Sequence, residues 1–250
     1  ARFICRKLYR WFVYYVIDES VEQQVIEPMA QILIDADYEI QPALEALFRS
    51  AHFYDALSRG PMIRTPLDFL FTILKTAQTP IPAELTPRYQ VLWQLFRRLI
   101  DMQMEYFALP DVAGWKAYYQ EPLFYRNWIS ANTLKERSEL AVTIANNGYQ
   151  FNGNRIKLEP LEWITTFADP MEPNAMITEM ITLLYPQPLT DGQLASLKEV
   201  LIPGLPDFEW TLEYGNYLAD PGNEDLRDAV DSKLRDLLTT ILNLAEFHLS

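Results

Sequence analysis

The sequence predicts an all-α protein, an irregular multi-helix bundle with one long ordered aromatic loop and at most one short β-hairpin. Three observations carry this. Glycine supplies only 8 of the 250 residues, where average usage would give about seventeen. The 17 prolines gather where helices begin. Apolar residues recur at helical spacing and almost nowhere alternate as a half-buried strand requires. With 49% apolar and 22% charged residues the chain has the composition of a folding protein, not of a disordered or supercharged one. No stretch approaches the ~18 consecutive apolar residues of a membrane span. The opening Ala1-Arg2-Phe3-Ile4-Cys5-Arg6 lacks the ordered regions of a signal peptide, so these residues are expected to be soluble.

Taken in order, the first helices are expected at 2–17, 20–36 and 42–57. Pro28 interrupts the second, which must kink there or begin again with Pro28 at its first position. Thr65-Pro66 and Thr86-Pro87 each place a capping hydroxyl before an N1 proline. They open helices at 66–78 and 87–106, and Asp68 meets the dipole of the first. Along the second, Leu92, Leu95, Phe96, Leu99 and Ile100 form a core-facing stripe, with Arg97, Arg98 and Asp101 toward solvent. Thr133 and Glu136 have the spacing of a capping box for a helix at 133–147, closed by Asn147-Gly148 as a left-handed cap. Asn152-Gly153, flanked by Tyr149, Phe151, Ile156 and Leu158, predicts a type I′ hairpin. Further helices fit 160–168, 173–185, 191–202, 207–219 and 224–246, with Asp207 and Asn223 as caps. The chain reads as a single helical domain over 1–250 whose sole candidate seam is the hairpin near 149–158.

Charge and residue counts exclude several functions. The formal net charge is −13, which repels phosphate backbones, so no nucleic-acid partner is expected. The one basic cluster, Arg2, Arg6, Lys7 and Arg10, lies opposite Phe3, Ile4, Leu8, Trp11 and Phe12 and reads as a solvated helix face. Cys5 is the only cysteine and reads as a small buried hydrophobe. With only His52 and His248, no zinc site or His-His metal motif can be written, and no metal or cofactor is expected. His52 and Asp55 share one helical face as a ligand pair or a base and its orienter would, although packing explains a single histidine as well. Arg64 and Arg137 stand among apolar neighbours. Either suits a carboxylate or phosphate, but an internal ion pair tying down the long loop is the preferred reading. No nucleophile elbow, phosphate loop or dinucleotide fingerprint is present.

Residues 107–131 have neither a helical nor a strand period. Trp115, Tyr118, Tyr119, Phe124, Tyr125 and Trp128 place six aromatics within fourteen positions, too many for disorder. Trp115 and Trp128 are expected to anchor the loop against the 87–106 and 133–147 helices. Tyr118, Tyr119 and Tyr125 are then free to face outward, with Arg126 and Asn127 at their edge for hydrogen bonds.

The segment Ala108-Leu109-Pro110-Asp111-Val112-Ala113-Gly114-Trp115 and the segment from Asn127-Trp128-Ile129 to Arg137 resemble the Pro-Pro-x-Val-x-Gly-Trp and Trp-Ile-x-x-x-x-Leu-x-x-Arg blocks of the bacterial family called domain of unknown function 1800. Leu109 replaces the first family proline, and the insert between the tryptophans is long. Arg6–Val13, Ile40–Phe53 and the closing Leu244–Leu249 are similar to three further blocks of the family, with Ala245 and His248 as departures. The resemblance makes Gly114, Trp115, Trp128 and Arg137 motif residues. It also implies that this is the C-terminal portion of a longer, exported protein, in a family whose members often stand beside genes for a second exported family. It supplies no catalytic residue. Two functions follow as expectations. One is a non-catalytic helical module that binds another exported protein or a polysaccharide through loop 107–131. The other is a hydrolase-type enzyme whose active site is completed by an absent N-terminal half. A recess with convergent titratable groups near 107–137 would favour the enzyme, and an aromatic surface without them the binder.

Overall fold

The computed structural model describes residues 1–112, 114–115 and 126–250, with Asn127 described by its backbone alone. The fold is mostly α, and among the described residues the only sheet is a two-stranded antiparallel hairpin. The chain divides into two compact units, residues 1–62 with Ser250, and residues 63–249.

In the first unit, α1 (Arg2–Phe12) buries Cys5 and Tyr9 and turns its basic side to acids. Arg6 pairs in bidentate fashion with Glu22 at 2.6 and 2.9 Å, and Arg2 with Glu27 at 2.9 Å. The helix stops well short of residue 17. The run Val13-Tyr14-Tyr15-Val16-Ile17 is β-branched and aromatic, the residue types that lose most side-chain freedom in a helix. The next helix is continuous but not uniform: α2 (Glu19–Val21), a π-helical turn (Glu22–Ile26), then α3 (Glu27–Asp35). Pro28 explains the wide turn. It has no N–H to donate and its ring crowds the carbonyl one turn back, so the helix widens there instead of kinking. The next helix, α4 (Ile40–Phe48), ends before His52. The Ser50 hydroxyl donates to the Leu47 carbonyl at 2.7 Å and accepts the Phe53 N–H at 3.2 Å, local bonds that compete with helix propagation. Cys5, Tyr9, Val13, Ile26, Met29, Leu33, Ala43 and Leu47 form the core of this unit.

The second unit opens with α5 (Pro66–Thr76), capped as expected by Thr65, whose hydroxyl accepts the Asp68 N–H at 3.1 Å. The next helix, α6 (Leu85–Asp101), begins earlier than Thr86-Pro87 predicted, with Glu84 at its N-cap and no side-chain cap. Thr86 and Pro87 therefore lie inside its first turn. For α7 (Ala131–Asn146) the capping box is also displaced: Ser130 and Thr133 exchange the reciprocal bonds expected of Thr133 and Glu136. Gly148 closes that helix at φ +68°, its N–H donating to the Thr143 carbonyl at 2.6 Å. The hairpin of β1 (Tyr149–Phe151) and β2 (Asn154–Ile156) pairs Tyr149 with Ile156, and Asn152-Gly153 turns it with both φ positive. It packs on α6 inside the second unit, while the division of the chain falls at 62/63. The remaining helices are α8 (Pro160–Ile164), α9 (Pro173–Leu184), α10 (Asp191–Leu201), α11 (Phe208–Ala219) and α12 (Glu224–Asn243). α12 is central to them, packing against α7, α8, α10 and α11. From it Arg235 reaches the carbonyls of Ala145 and Leu158 and the carboxylate of Glu159.

Candidate functional site

Two places in the second unit hold the residues singled out from the sequence, the described parts of loop 107–131 and a buried arginine pair. Where α6 ends, Gln103 adopts a left-handed conformation and Met104 turns inward. From Glu105 to Val112 every side chain is then exposed. Phe107 sits at φ +70°, a conformation that costs a non-glycine residue about 1–2 kcal/mol, and its ring is 89% exposed. Leu109 and Val112 are also exposed. Gly114 follows at φ +98°, its N–H donating to the Asp111 carbonyl at 2.9 Å. That conformation is the reason for glycine here, because a Cβ would meet nothing within 4 Å.

Trp128 is 3% exposed and packs with Met104, Ile63, Leu67 and the half-buried Trp115. The ring centroids of the two tryptophans are 6.5 Å apart. The anchor of Trp128 is thus the start of α5 together with Met104 just past α6, the latter within the 87–106 segment expected to hold it, while the start of α5 was not expected. The Thr133 hydroxyl fixes the turn by donating to the Trp128 carbonyl at 3.1 Å. Arg126 opens the short 3₁₀ turn Arg126–Trp128 and is exposed. Tyr118, Tyr119, Phe124 and Tyr125 and the side chain of Asn127 lie outside the described residues.

The Gly-Trp and Trp-Ile blocks, read separately along the sequence, meet in space around these two rings. The model of the family described as "Protein of unknown function (DUF1800)" matches residues 1–249. The chain belongs to this family. No curated protein and no solved structure matches it.

The Arg that closes the second DUF1800 block, Arg137, projects from α7 into the core and is fully buried. Its Nη2 donates to the Arg64 carbonyl at 2.7 Å, and its guanidinium lies 5.0 Å from the Phe69 ring centroid. Arg64, also buried, donates to the carbonyls of Phe247 (2.9 Å) and Leu184 (2.8 Å) and covers the Phe247 ring at 4.8 Å. Its own N–H donates to the His248 carbonyl at 2.8 Å, and Ile63 bridges to Leu249. The pair therefore ties the C-terminal 3₁₀ turn (Ala245–His248) to the entrance of α5 through carbonyls. This corrects the expected ion pair, since among the described residues no carboxylate lies within ion-pair distance of either arginine. Burial, foremost, pushes both guanidiniums down to about 10. Arg64 further lowers Arg137, while Asp68 partly offsets the effect on each. Both stay charged at neutral pH.

His248 completes this cluster, and sequence reasoning gave it no role. It stacks on Phe69 at 5.3 Å and 4°, is 8% exposed, and its pKa is lowered to about 4 by burial and then by the charges of Arg137 and Arg64. No local signal marks it, because its environment depends on contacts to residues 180 or so positions away. The other histidine, in the first unit, is not paired with Asp55. His52 Nε2 meets the Tyr9 hydroxyl at 2.8 Å, while Asp55 caps a 3₁₀ turn by accepting the Leu57 N–H. Among the described residues no group of three or more His, Cys, Asp or Glu is placed to hold a metal ion.

Proposed function

We propose that this chain is a non-catalytic binding module, acting outside the cytoplasm as the family resemblance implies, that engages a partner protein through the exposed face of loop 107–131. The exposed apolar run at Phe107, Leu109 and Val112 carries this reading. Its base is anchored by buried Met104 and Trp128. A face of aliphatic and aromatic side chains with a firm base suits a protein surface, where such anchors carry most of the binding energy. The recess nearest the loop in sequence, beside α7, is lined by Ala131, Leu134, Lys135, Ser138, Asn243 and His248. It brings together the titratable Lys135 and His248 but no carboxylate that would orient the imidazole as a general base, so the exposed apolar run, and not this recess, is what favours the binder.

The polysaccharide reading rests on Tyr118, Tyr119 and Tyr125, whose rings would stack on sugar faces with Arg126 and Asn127 at the edge. One experiment separates the two. The wild-type chain, a Phe107→Ser/Val112→Ser variant and a Tyr118→Ala/Tyr119→Ala variant are compared for thermal melting, for retention on an insoluble-glycan panel, and for co-purification with the product of the neighbouring gene. Unchanged melting with loss of the protein partner in the first variant is expected. Loss of glycan retention in the second alone moves the reading to polysaccharide, and equal behaviour of all three chains refutes it.

A further inference from the structure

The arginine pair is electrostatically unfinished. The Nε and Nη1 of Arg137 are buried without a hydrogen-bond partner, as is Nδ1 of His248. Two guanidiniums are buried here, the acid that acts on both, Asp68, being exposed at the start of α5, and they carry positive charge into the interior of a protein whose net charge is −13. Low surrounding polarity strengthens that field. Immediately beside it, between α7 and the chain's last turn, lies the recess of about 400 Å³ whose lining includes His248. Its polar lining residues are Lys135, Ser138, Asn243 and His248, and its apolar ones are Ala131 and Leu134.

We propose that this recess binds a small organic carboxylate, its head among Lys135, Ser138 and His248 and its short apolar tail on Ala131 and Leu134. Lys135, the Ser138 hydroxyl and the neutral His248 ring are the donors, the buried arginines supply the favourable field behind them, and the mixed lining matches an anion with an apolar end better than a bare oxyanion. Lys135 now faces Glu139 at 3.2 Å and Glu136 at 4.0 Å. These carboxylates compete for the ammonium, so the affinity belongs in the millimolar range rather than lower.

With only two histidines in the chain, the imidazole resonances give a direct readout with an internal control. Butyrate, titrated into isotope-labelled protein at constant pH and ionic strength, is expected to shift the His248 ring signals saturably and leave those of His52 unmoved. Inorganic phosphate is expected to produce no saturable shift. A Lys135→Gln/Ser138→Ala variant, altered only at positions that are not fully buried, is expected to bind butyrate at least about tenfold more weakly, the loss of a charge-assisted hydrogen bond. The proposal is overturned if butyrate leaves His248 unmoved, if both histidines drift together, if phosphate matches butyrate, or if the double variant binds as the wild type does.

Discussion

Acidification to pH 5 is expected to weaken the wild-type protein by about 2 kcal/mol more than a His248→Gln variant. The imidazole is 8% exposed, stacked on Phe69 and close to two buried guanidiniums. Burial first, and then Arg137 and Arg64, lower its pKa from 6.5 to about 4. Lys135 on α7 lines the same recess as the ring. The unfolded chain takes up the proton near 6.5, whereas the folded chain resists it until about 4. The contribution to stability is therefore complete above pH 6.5, declines as the pH falls, and is fully lost only below about 4. At pH 5 the unfolded chain is almost wholly protonated at this residue and the folded chain only in about one molecule in ten, which integrates to about 2 kcal/mol. Glutamine keeps a neutral polar side chain at the position and removes the titration. Urea unfolding of both proteins at pH 7.5 and pH 5 measures the difference, with the carboxylates, common to both, cancelling. If the two lose the same stability within about 0.5 kcal/mol, the imidazole is not held neutral by its surroundings and the picture of a buried cationic cluster is wrong.

Three further outcomes are expected from equilibrium unfolding. Trp128→Ala is expected to cost about 3–5 kcal/mol, as large core truncations do, and a loss below about 1 kcal/mol would make the ring a surface feature. Gly148→Ala is expected to cost about 3 kcal/mol or more, because its Cβ would run into the Ile156 carbonyl and the Lys157 side chain. Gly153→Ala, with open space around it, is expected to cost only the left-handed strain of about 1 kcal/mol. Arg64→Met is expected to cost about 3–5 kcal/mol by leaving the buried carbonyls of Leu184 and Phe247 without donors. Arg137→Met gives up one bond but also two buried nitrogens without a partner, so it is expected to stay within about 1 kcal/mol of wild type. The reverse order would show that Arg137 is the principal tie.

The sequence by itself determined the all-α class, the family, and most places where a helix starts or stops. Thr65 caps α5, Asn223 caps α12, Gly148 closes α7 and Asn152-Gly153 turns the hairpin, as their neighbours along the chain required. Each is a bond or a φ decided within four or five residues, a range over which sequence and space are nearly the same thing. The errors at this range are local, although α1 and α4 stop five and nine residues before their expected ends. Ser130 takes the capping role assigned to Thr133 because a second hydroxyl with the right spacing stood three residues earlier. Pro28 widens a helix into a π turn, a third outcome beside the kink and the restart. Only the tertiary structure decided that Arg64 and Arg137 hold carbonyls instead of carboxylates, that His248 is buried and held neutral, and that the chain divides at 62/63. Whether a guanidinium or an imidazole meets a carbonyl, a carboxylate or a second cation depends on segments that approach from α5, α7, α9 and the C-terminal turn at once. Apolar neighbours along the chain mark Arg64 and Arg137 as unusual, but which group answers each is not written in the residues beside them.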